Sequence, residues 1–245
     1  MIISAGLALL TFSASVMAQE AAASSGAFIG YYQENPRTNP EDPVPGAIYL
    51  RLPASDGPFS GDMFFTYIGC QSSNLGNVSG MKRGTALTGN WSGTVDDVPQ
   101  RGMFRGRYDA ATDSYTGTYT NAGGKQHRDL NPCIEYYIAP DGTWALFPVE
   151  RNLPADFEIR LTGNSVRWTS TPGAAGIHIT IYDAATLESP KGNAIVWQTL
   201  LEPGARAASL RDARLQSGKE YVVSVALIGD AAQRLAYGSK RFTAP

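Results

Sequence analysis

Through most of this chain polar and apolar residues alternate one by one, and this pattern limits what the chain can fold into. Side chains two positions apart share one face of a β-strand, whereas an amphipathic helix needs apolar residues three or four positions apart. In LTGNWSGTV, residues 87–95, Leu87 and Trp91 fall on one face and Asn90 and Ser92 on the other. The alternation predicts an all-β protein, and no stretch has the period of an amphipathic helix.

Glycine recurs beside large apolar residues on one face of these strands. The segments LTGNWSGTV, MFRGRY and YTGTY each place a glycine two positions from an aromatic or apolar residue. Glycine weakens the interior of a strand unless the sheet curves strongly there or a large ring lies across the bare backbone. The opposite face carries Ser, Thr, Asn and Arg, which is typical of a sheet with one side in water. We therefore predict that residues 47–150 form a curved antiparallel meander or a small barrel.

The N-terminal residues indicate where the protein resides. MIISAGLALLTFSASVMA, residues 1–18, is an apolar run that ends in small residues, with Val16 and Ala18 at the positions that a signal peptidase reads. It lacks the usual Lys or Arg at its start, and an ordinary N-terminal helix is the alternative. We predict a signal peptide at 1–18 and a periplasmic or secreted protein. No later stretch is apolar enough to cross a bilayer as a helix, so we expect no membrane span.

Residues 19–46 are predicted to be a tether followed by a proline-rich loop. Residues 19–25, QEAAASS, are small and polar, and the segment ENPRTNPEDPVPG at 34–46 contains four prolines. Proline lacks the backbone N–H that a sheet ladder requires, so such a segment is typical of a long loop.

Cys70 and Cys133 are the only two cysteines in the sequence. In an oxidising compartment an isolated pair is most simply one structural disulfide, and a loop of this length would give about 4 kcal/mol of stability. A catalytic thiol or a metal site is the alternative, but two cysteines and two scattered histidines lack the spacing of metal ligands. We predict a disulfide between them, with no metal and no cofactor.

Residues 151–245 show a cleaner alternation and form a second predicted domain. Phe157, Ile159 and Leu161, for example, alternate with Glu158 and Arg160. Seven short strand-like segments in about 95 residues are typical of a β-sandwich. They lie near residues 157–161, 165–169, 177–182, 194–199, 205–210, 220–228 and 234–243.

The same region resembles a known family. VRWTSTPGA places Trp168 on the second strand, and LQSGKEYVVSVAL matches the Leu-x-x-Gly-x-x-Tyr-x-Val-x-Val run of fibronectin type III domains. Related Ig-like sandwiches give a similar pattern. The resemblance implies a seven-stranded sandwich that serves as a spacer or binding module, with the Tyr221 hydroxyl bonded to the backbone in a tyrosine corner. The chain lacks an adhesion tripeptide, so cell adhesion is not implied.

Charged residues offer few sites for chemistry. The 20 Lys and Arg nearly balance the 22 Asp and Glu, so nucleic acid is not an expected partner. His127, Arg128 and Asp129 are adjacent, but neighbours on an extended chain point apart, and we interpret them as a solvated loop.

Aspartates occur in pairs at predicted turns. Asp96 and Asp97 share one turn and Asp109 and Asp113 another, where such side chains usually accept backbone hydrogen bonds. A glycosidase pair or a calcium site is the alternative, although neither spacing matches a calcium loop.

Aromatic residues of the first domain are the candidate ligand-binding residues. Curved sheets with rings on a concave face can stack sugars or enclose an apolar ligand. The alternative is that the rings fill a small core over the bare glycines. The candidates are Trp91, Tyr108, Tyr115, Tyr119 and Trp144.

These observations favour a non-enzymatic binding or adaptor protein of the envelope, whose first domain recognises a glycan, an apolar ligand or another envelope protein. Two alternatives stay open. A hydrolase acting on envelope glycans needs two of the carboxylates of Asp96, Asp97, Asp109, Asp113 and Glu135 to face each other about 5 to 9.5 Å apart. A structural or inhibitory partner of another envelope protein needs an exposed apolar patch of more than several hundred Å².

Overall fold

The structure confirms the all-β class. The computed structural model describes residues 26–35, 45–67, 72–95, 98–122, 141–169, 171–189, 191–231 and 233–245. In these ranges the only α-helix is α1, Ala184–Glu188, and a single 3₁₀ turn follows at Arg211–Ala213. No helix in the described ranges has the length and apolarity that a bilayer crossing requires. The predicted signal peptide and both cysteines, Cys70 and Cys133, lie outside the described residues.

The N-terminal part is a closed barrel of eight strands. Each strand is antiparallel to the next along the chain, and pairing of the first with the eighth closes the barrel. Of the two forms predicted for this region, the structure has the barrel. The strands are β1 (Gly26–Glu34), β2 (Pro45–Leu52), β3 (Gly57–Tyr67), β4 (Ser72–Arg83), β5 (Ala86–Val95), β6 (Val98–Asp109), β7 (Ser114–Asn121) and β8 (Asp141–Pro148).

Strand β1 lies within residues 19–46, which the sequence assigned to a tether and a loop. Its Phe28 and Tyr32 belong to the barrel core, while Ile29 and Tyr31 point outward and are also buried. A strand that is buried on both faces shows no alternation of polarity, and the period-two signal is therefore absent. The barrel consequently starts about twenty residues earlier than the predicted boundary at 47.

Bare glycines make room for the rings inside the barrel. A Cβ placed on Gly106 or Gly117 would lie 2.2 or 2.5 Å from the ring of Trp144, and one on Gly102 would lie 2.3 Å from Trp91 Nε1. Such distances are far inside van der Waals contact, so only glycine allows the rings to lie flat against the strands. This confirms the structural explanation predicted for the glycine pattern.

The second part consists of two sheets that share one core. A three-stranded sheet has the order β10-β11-β14, and a five-stranded sheet has the order β13-β12-β15-β16-β9. Phe157, Val166 and Trp168 pack with residues of β12 and β15 between the two sheets. The strands are β9 (Asn152–Leu153), β10 (Ile159–Thr162), β11 (Ser165–Trp168), β12 (Ala174–Asp183), β13 (Ile195–Leu201), β14 (Ala207–Ser209), β15 (Glu220–Gly229) and β16 (Arg234–Thr243).

The hydrogen bond expected of Tyr221 is present. The backbone N–H of Gln216 donates to the Tyr221 hydroxyl at 3.1 Å. The bond ties the start of β15 to the preceding loop, as a tyrosine corner does.

The barrel docks on the outer face of the five-stranded sheet. Outward residues of β1, β2 and β8 pack there, and the rings of Phe147 and Tyr237 stack with their centroids 3.9 Å apart. The hydroxyls of Tyr182 and Tyr237 donate to the carbonyls of Gly30 and Ile29 at 3.1 and 3.2 Å. Burial raises the pKa of both tyrosines, so the hydroxyls stay protonated and act as donors.

A polar cluster links the two parts by hydrogen bonds at the edge of this interface. The Tyr49 hydroxyl contacts the Asp62 carboxylate, donates to the Gly192 carbonyl at 2.9 Å and accepts the Ala194 N–H at 3.1 Å. Arg51 donates to three carbonyls of residues 186–192, at 2.7 to 3.2 Å. Burial raises the pKa of Asp62, and hydrogen bonding and the guanidinium offset only part of that effect. The two parts therefore form one docked unit.

Candidate functional site

The five aromatic residues predicted to bind a ligand all belong to the barrel interior. Trp91, Tyr115, Tyr119 and Trp144 are at most 6% exposed, and Tyr108 is partly buried against them. Trp91 Nε1 and Trp144 Nε1 donate to carbonyls of β7 at 3.0 and 3.1 Å, so both indoles are held by the barrel itself. The rings pack on one another as a core, and ligand binding by them stays a prediction.

The rings contact one another in pairs. Phe104 and Trp144 stack with centroids 4.1 Å apart, and Tyr108 and Tyr115 meet at 5.1 Å. Burial raises the pKa of Tyr115 to about 12, and the neighbouring Tyr108 adds to this effect. The Tyr115 hydroxyl is buried and has no hydrogen-bond partner among the described residues.

Asp109 and Asp113 hold the turn between β6 and β7. Asp109 accepts hydrogen bonds from the Thr112 hydroxyl at 2.7 Å and the Ala111 N–H at 3.0 Å, and the Tyr108 hydroxyl donates to Asp113 at 2.8 Å. The bond from Thr112, followed by that from Ala111, lowers the pKa of Asp109. Both carboxylates are thus used locally, as predicted for turn aspartates.

The other charged candidates lie outside the described residues. These are Asp96, Asp97, His127, Arg128, Asp129 and Glu135. Within the described ranges no three His, Cys, Asp or Glu residues are grouped so that they could hold a metal ion.

The solvent-facing side of the barrel carries a different set of side chains. Strands β4 to β7 lie on the side of the barrel away from the docking interface, and their outward residues are exposed. We call this set the outer barrel face. Its members are Asn77, Ser79, Met81, Arg83, Thr88, Asn90, Ser92, Arg101, Met103, Arg105, Arg107, Asp109, Thr116, Thr118 and Thr120.

Strand register arranges the outer barrel face in rows. Arg105 lies between Thr88 on β5 and Thr118 on β7, and Met103 lies between Asn90 and Thr120 in the next row. Neighbouring strands are about 4.8 Å apart, and residues two apart on one strand are separated by about 7 Å. The face therefore presents hydrogen-bonding groups on a regular grid.

The outer barrel face is positively charged. Arg101, Arg105 and Arg107 project from the same side of β6, and none forms a salt bridge within the described ranges. Strands β4 to β7 contain no Asp or Glu before Asp109, the last residue of β6. A guanidinium binds carboxylate, sulfate or phosphate through two parallel hydrogen bonds. The three arginines can therefore hold an anionic partner along the strand.

Exposed apolar side chains are few in the described ranges. The large ones are Met81, Met103 and Val196, which are 40 to 44% exposed. Met81 on β4 and Met103 on β6 are separated by β5, and Val196 lies on the other part of the molecule. They do not form the broad apolar patch that an obligate protein partner would use.

Sequence reasoning placed the outer barrel face in water but did not single it out as a site. The alternation identified Arg105, Arg107 and the threonines of β7 as the polar side of their strands. Their alignment into rows depends on the register between strands, which the pattern of one strand does not contain.

No protein-family model matches this chain, and no curated protein matches it.

Proposed function

We propose that this chain is an exported, non-enzymatic envelope protein that binds an extended acidic polymer, such as an anionic glycan, on its outer barrel face. The observation that carries the proposal is the row of three guanidiniums without carboxylate partners, set between strands of exposed threonine and asparagine. The positive groups match the acid groups of such a polymer, and the hydroxyls and amides match its sugar hydroxyls.

The shape of the face favours a long ligand over a small one. The outer surface of a barrel is convex, so a small molecule would touch few groups at once. A polymer that follows β6 meets Arg101, Arg105 and Arg107 in turn, over about 20 Å of strand. Once one group of the polymer is bound, its next groups are held at high effective concentration near their own partners, so several weak contacts reinforce one another. The polymer thus gains affinity that no single contact supplies.

The second part supports the barrel as a spacer in this proposal. We propose that it is a fibronectin type III-like sandwich. The shared core of its two sheets and the bond between Gln216 and Tyr221 support this assignment. Because the barrel docks through buried tyrosines and Arg51, the binding face has a fixed direction relative to the sandwich.

Export and the disulfide belong to the same proposal. The apolar leader and the isolated cysteine pair support it. We expect protein recovered from the periplasm or medium to begin at Gln19 and to lack free thiol. Recovery of full-length chain only from the cytoplasm, with two reactive thiols, would overturn this part.

Binding is tested with dextran sulfate as the probe and uncharged dextran as the ligand control. The variant R101S/R105S/R107S removes the cationic row and leaves the core unchanged. We expect wild type to bind dextran sulfate and not dextran, with affinity that falls as salt rises. The triple variant is expected to bind at least tenfold more weakly. The matched variant R211S/R214S, which removes two exposed arginines from the other part of the chain, is expected to bind like wild type.

Two results would contradict the proposal. If the triple variant binds dextran sulfate as tightly as wild type, the outer barrel face is not the site. If the purified wild type releases reducing ends from polygalacturonate, the protein is a hydrolase and the non-enzymatic assignment is wrong.

A further inference from the structure

A second cluster of arginines lies on the three-stranded sheet, away from the barrel. It surrounds an open cleft of about 340 Å³ at one end of β10 and β11. The cleft is lined by Glu158, Arg160, Arg167, Trp168, Thr169 and Arg206. Three guanidiniums and one carboxylate give it a net charge of two positive.

The positive charges are placed opposite one another. Arg160 on β10 and Arg167 on β11 are directly paired in register. Like charges in this position destabilise a sheet unless an anion lies between them. Glu158 supplies one anion, because Arg160 Nε and Nη2 both donate to its Oε2 at 3.0 and 2.5 Å. Arg167 and Arg206 have no ion pair within the described ranges.

The walls of the cleft are held by the backbone. Thr169 N–H donates to the Glu158 carbonyl at 3.1 Å, and Glu158 N–H donates to the Thr169 hydroxyl at 3.0 Å. Trp168 N–H donates to the Arg206 carbonyl at 3.4 Å. Three strands or loops are thereby tied at this point, so the cleft exists before any ligand enters and little ordering is needed on binding.

Trp168 lines the cleft and is otherwise buried. Its side chain is 6% exposed and belongs to the core between the two sheets. Its indole N–H is buried and has no acceptor among the described residues. Because Trp168 is one of the lining residues, its indole N–H signal can report a ligand that binds in the cleft.

We propose that this cleft binds a phosphate-type dianion, clamped by Arg167 and Arg206 and flanked by Arg160. The net charge of two positive matches a phosphate monoester, and guanidinium forks match its oxygens. The cleft is larger than one phosphate group, and it therefore has room for a phosphorylated sugar. This site is independent of the polymer site on the barrel.

The test uses the full ¹⁵N-labelled chain and follows its indole N–H signals. The chain has four tryptophans, and the Trp168 signal is assigned with the variant W168F. Glucose 6-phosphate, inorganic phosphate and glucose are titrated in separate arms. We expect a saturable shift of the Trp168 signal with glucose 6-phosphate and no shift with glucose. Inorganic phosphate binding equally well would assign the site to the free ion, and tighter binding of glucose 6-phosphate assigns it to a phosphorylated sugar.

Variants decide whether the cleft is responsible. R167S/R206S is expected to weaken binding at least tenfold while its other indole signals stay in place, which shows that it is folded. R101S/R105S/R107S is expected to bind as wild type does, so that loss of the polymer site and loss of this site are told apart. A Trp168 signal that does not move with either phosphate overturns the proposal, as does unchanged binding by R167S/R206S.

Discussion

His178 makes the stability of the docked unit sensitive to acid. It lies on the face of β12 that meets the barrel, 3% exposed, with Nε2 3.0 Å from Gln198 Oε1. The same Oε1 accepts the Ala47 N–H of β2 at 2.9 Å, and Gln198 Nε2 donates to the Phe64 carbonyl at 3.2 Å. Nε2 of the neutral ring therefore carries the proton and donates to Gln198. Burial lowers the pKa of His178 to about 4, although the bond to Gln198 acts in the opposite direction.

The sign of the effect follows from proton binding. An unfolded histidine has a pKa of about 6.5. Between about pH 6.5 and pH 4 the unfolded chain binds a proton at this residue that the folded chain does not, so the free energy of unfolding falls as the pH falls. A lowering of the pKa from 6.5 to about 4 is worth roughly 3 kcal/mol when the whole window is crossed. From pH 7 to pH 4.5 the expected loss is roughly 2 kcal/mol.

Urea unfolding of wild type and His178→Gln at several pH values measures this loss. Glutamine keeps a donor for Gln198 and does not titrate. Asp62, whose pKa is raised by burial, and Asp183, whose pKa is lowered, also change stability with pH, but both are present in both proteins. We expect wild type to lose roughly 2 kcal/mol more than the variant between pH 7 and pH 4.5. Parallel loss in the two proteins would refute the reasoning.

Three further substitutions test the packing. Gly117→Ala is expected to destabilise the barrel by about 2 kcal/mol or more in urea unfolding, because its Cβ would overlap a backbone carbonyl and the Trp144 ring. Gly176→Ala is the control, since its Cβ would lie 3.5 Å from the nearest atom, and an equal loss of stability in the two variants contradicts the prediction. Tyr49→Phe removes the hydroxyl that contacts the Asp62 carboxylate and accepts the Ala194 N–H, and it is expected to lower the free energy of unfolding by about 2 kcal/mol. An unchanged urea midpoint would argue against the polar cluster. Tyr221→Phe removes the acceptor of one backbone N–H and is expected to cost about 1 kcal/mol, and a thermal midpoint equal to wild type speaks against the corner bond.

The two proposed sites use surfaces that differ in shape. The outer barrel face is broad and convex, and Arg101, Arg105 and Arg107 are spread along one strand of it. The cleft is concave and brings Arg160, Arg167 and Arg206 around one point. The first arrangement suits many separated charges on a polymer, and the second suits two charges on one group. R101S/R105S/R107S is therefore expected to lose binding of dextran sulfate, and R167S/R206S is expected to lose binding of glucose 6-phosphate.

The inner face of the barrel was predictable from residues alone. Glycine two positions from a ring occurs in β5, β6 and β7, and Gly106 and Gly117 indeed lie against Trp144. The ring that covers these two glycines comes from β8, one strand away from Gly117 and two strands away from Gly106, so the pattern predicts that rings lie on the glycines but not which ring does so. Strand β4 gives no such signal, because SSNLGNVSGMKR contains mostly Ser, Asn and Gly, with Val78 as its main described contribution to the core.

Alternation of polarity by itself determined that this chain is built from sheets and which side of most strands is apolar. It did not determine that the polar side of β12 is dry: His178 and Thr180 alternate with isoleucines as surface residues would, yet they are 3% and 0% exposed. For His178, the amide of Gln198 takes the place of water as hydrogen-bond partner, so the sequence pattern is the same whether this face is wet or dry. Only the meeting of two distant surfaces decided which residues were buried, just as strand register decided which exposed residues stand together as a site.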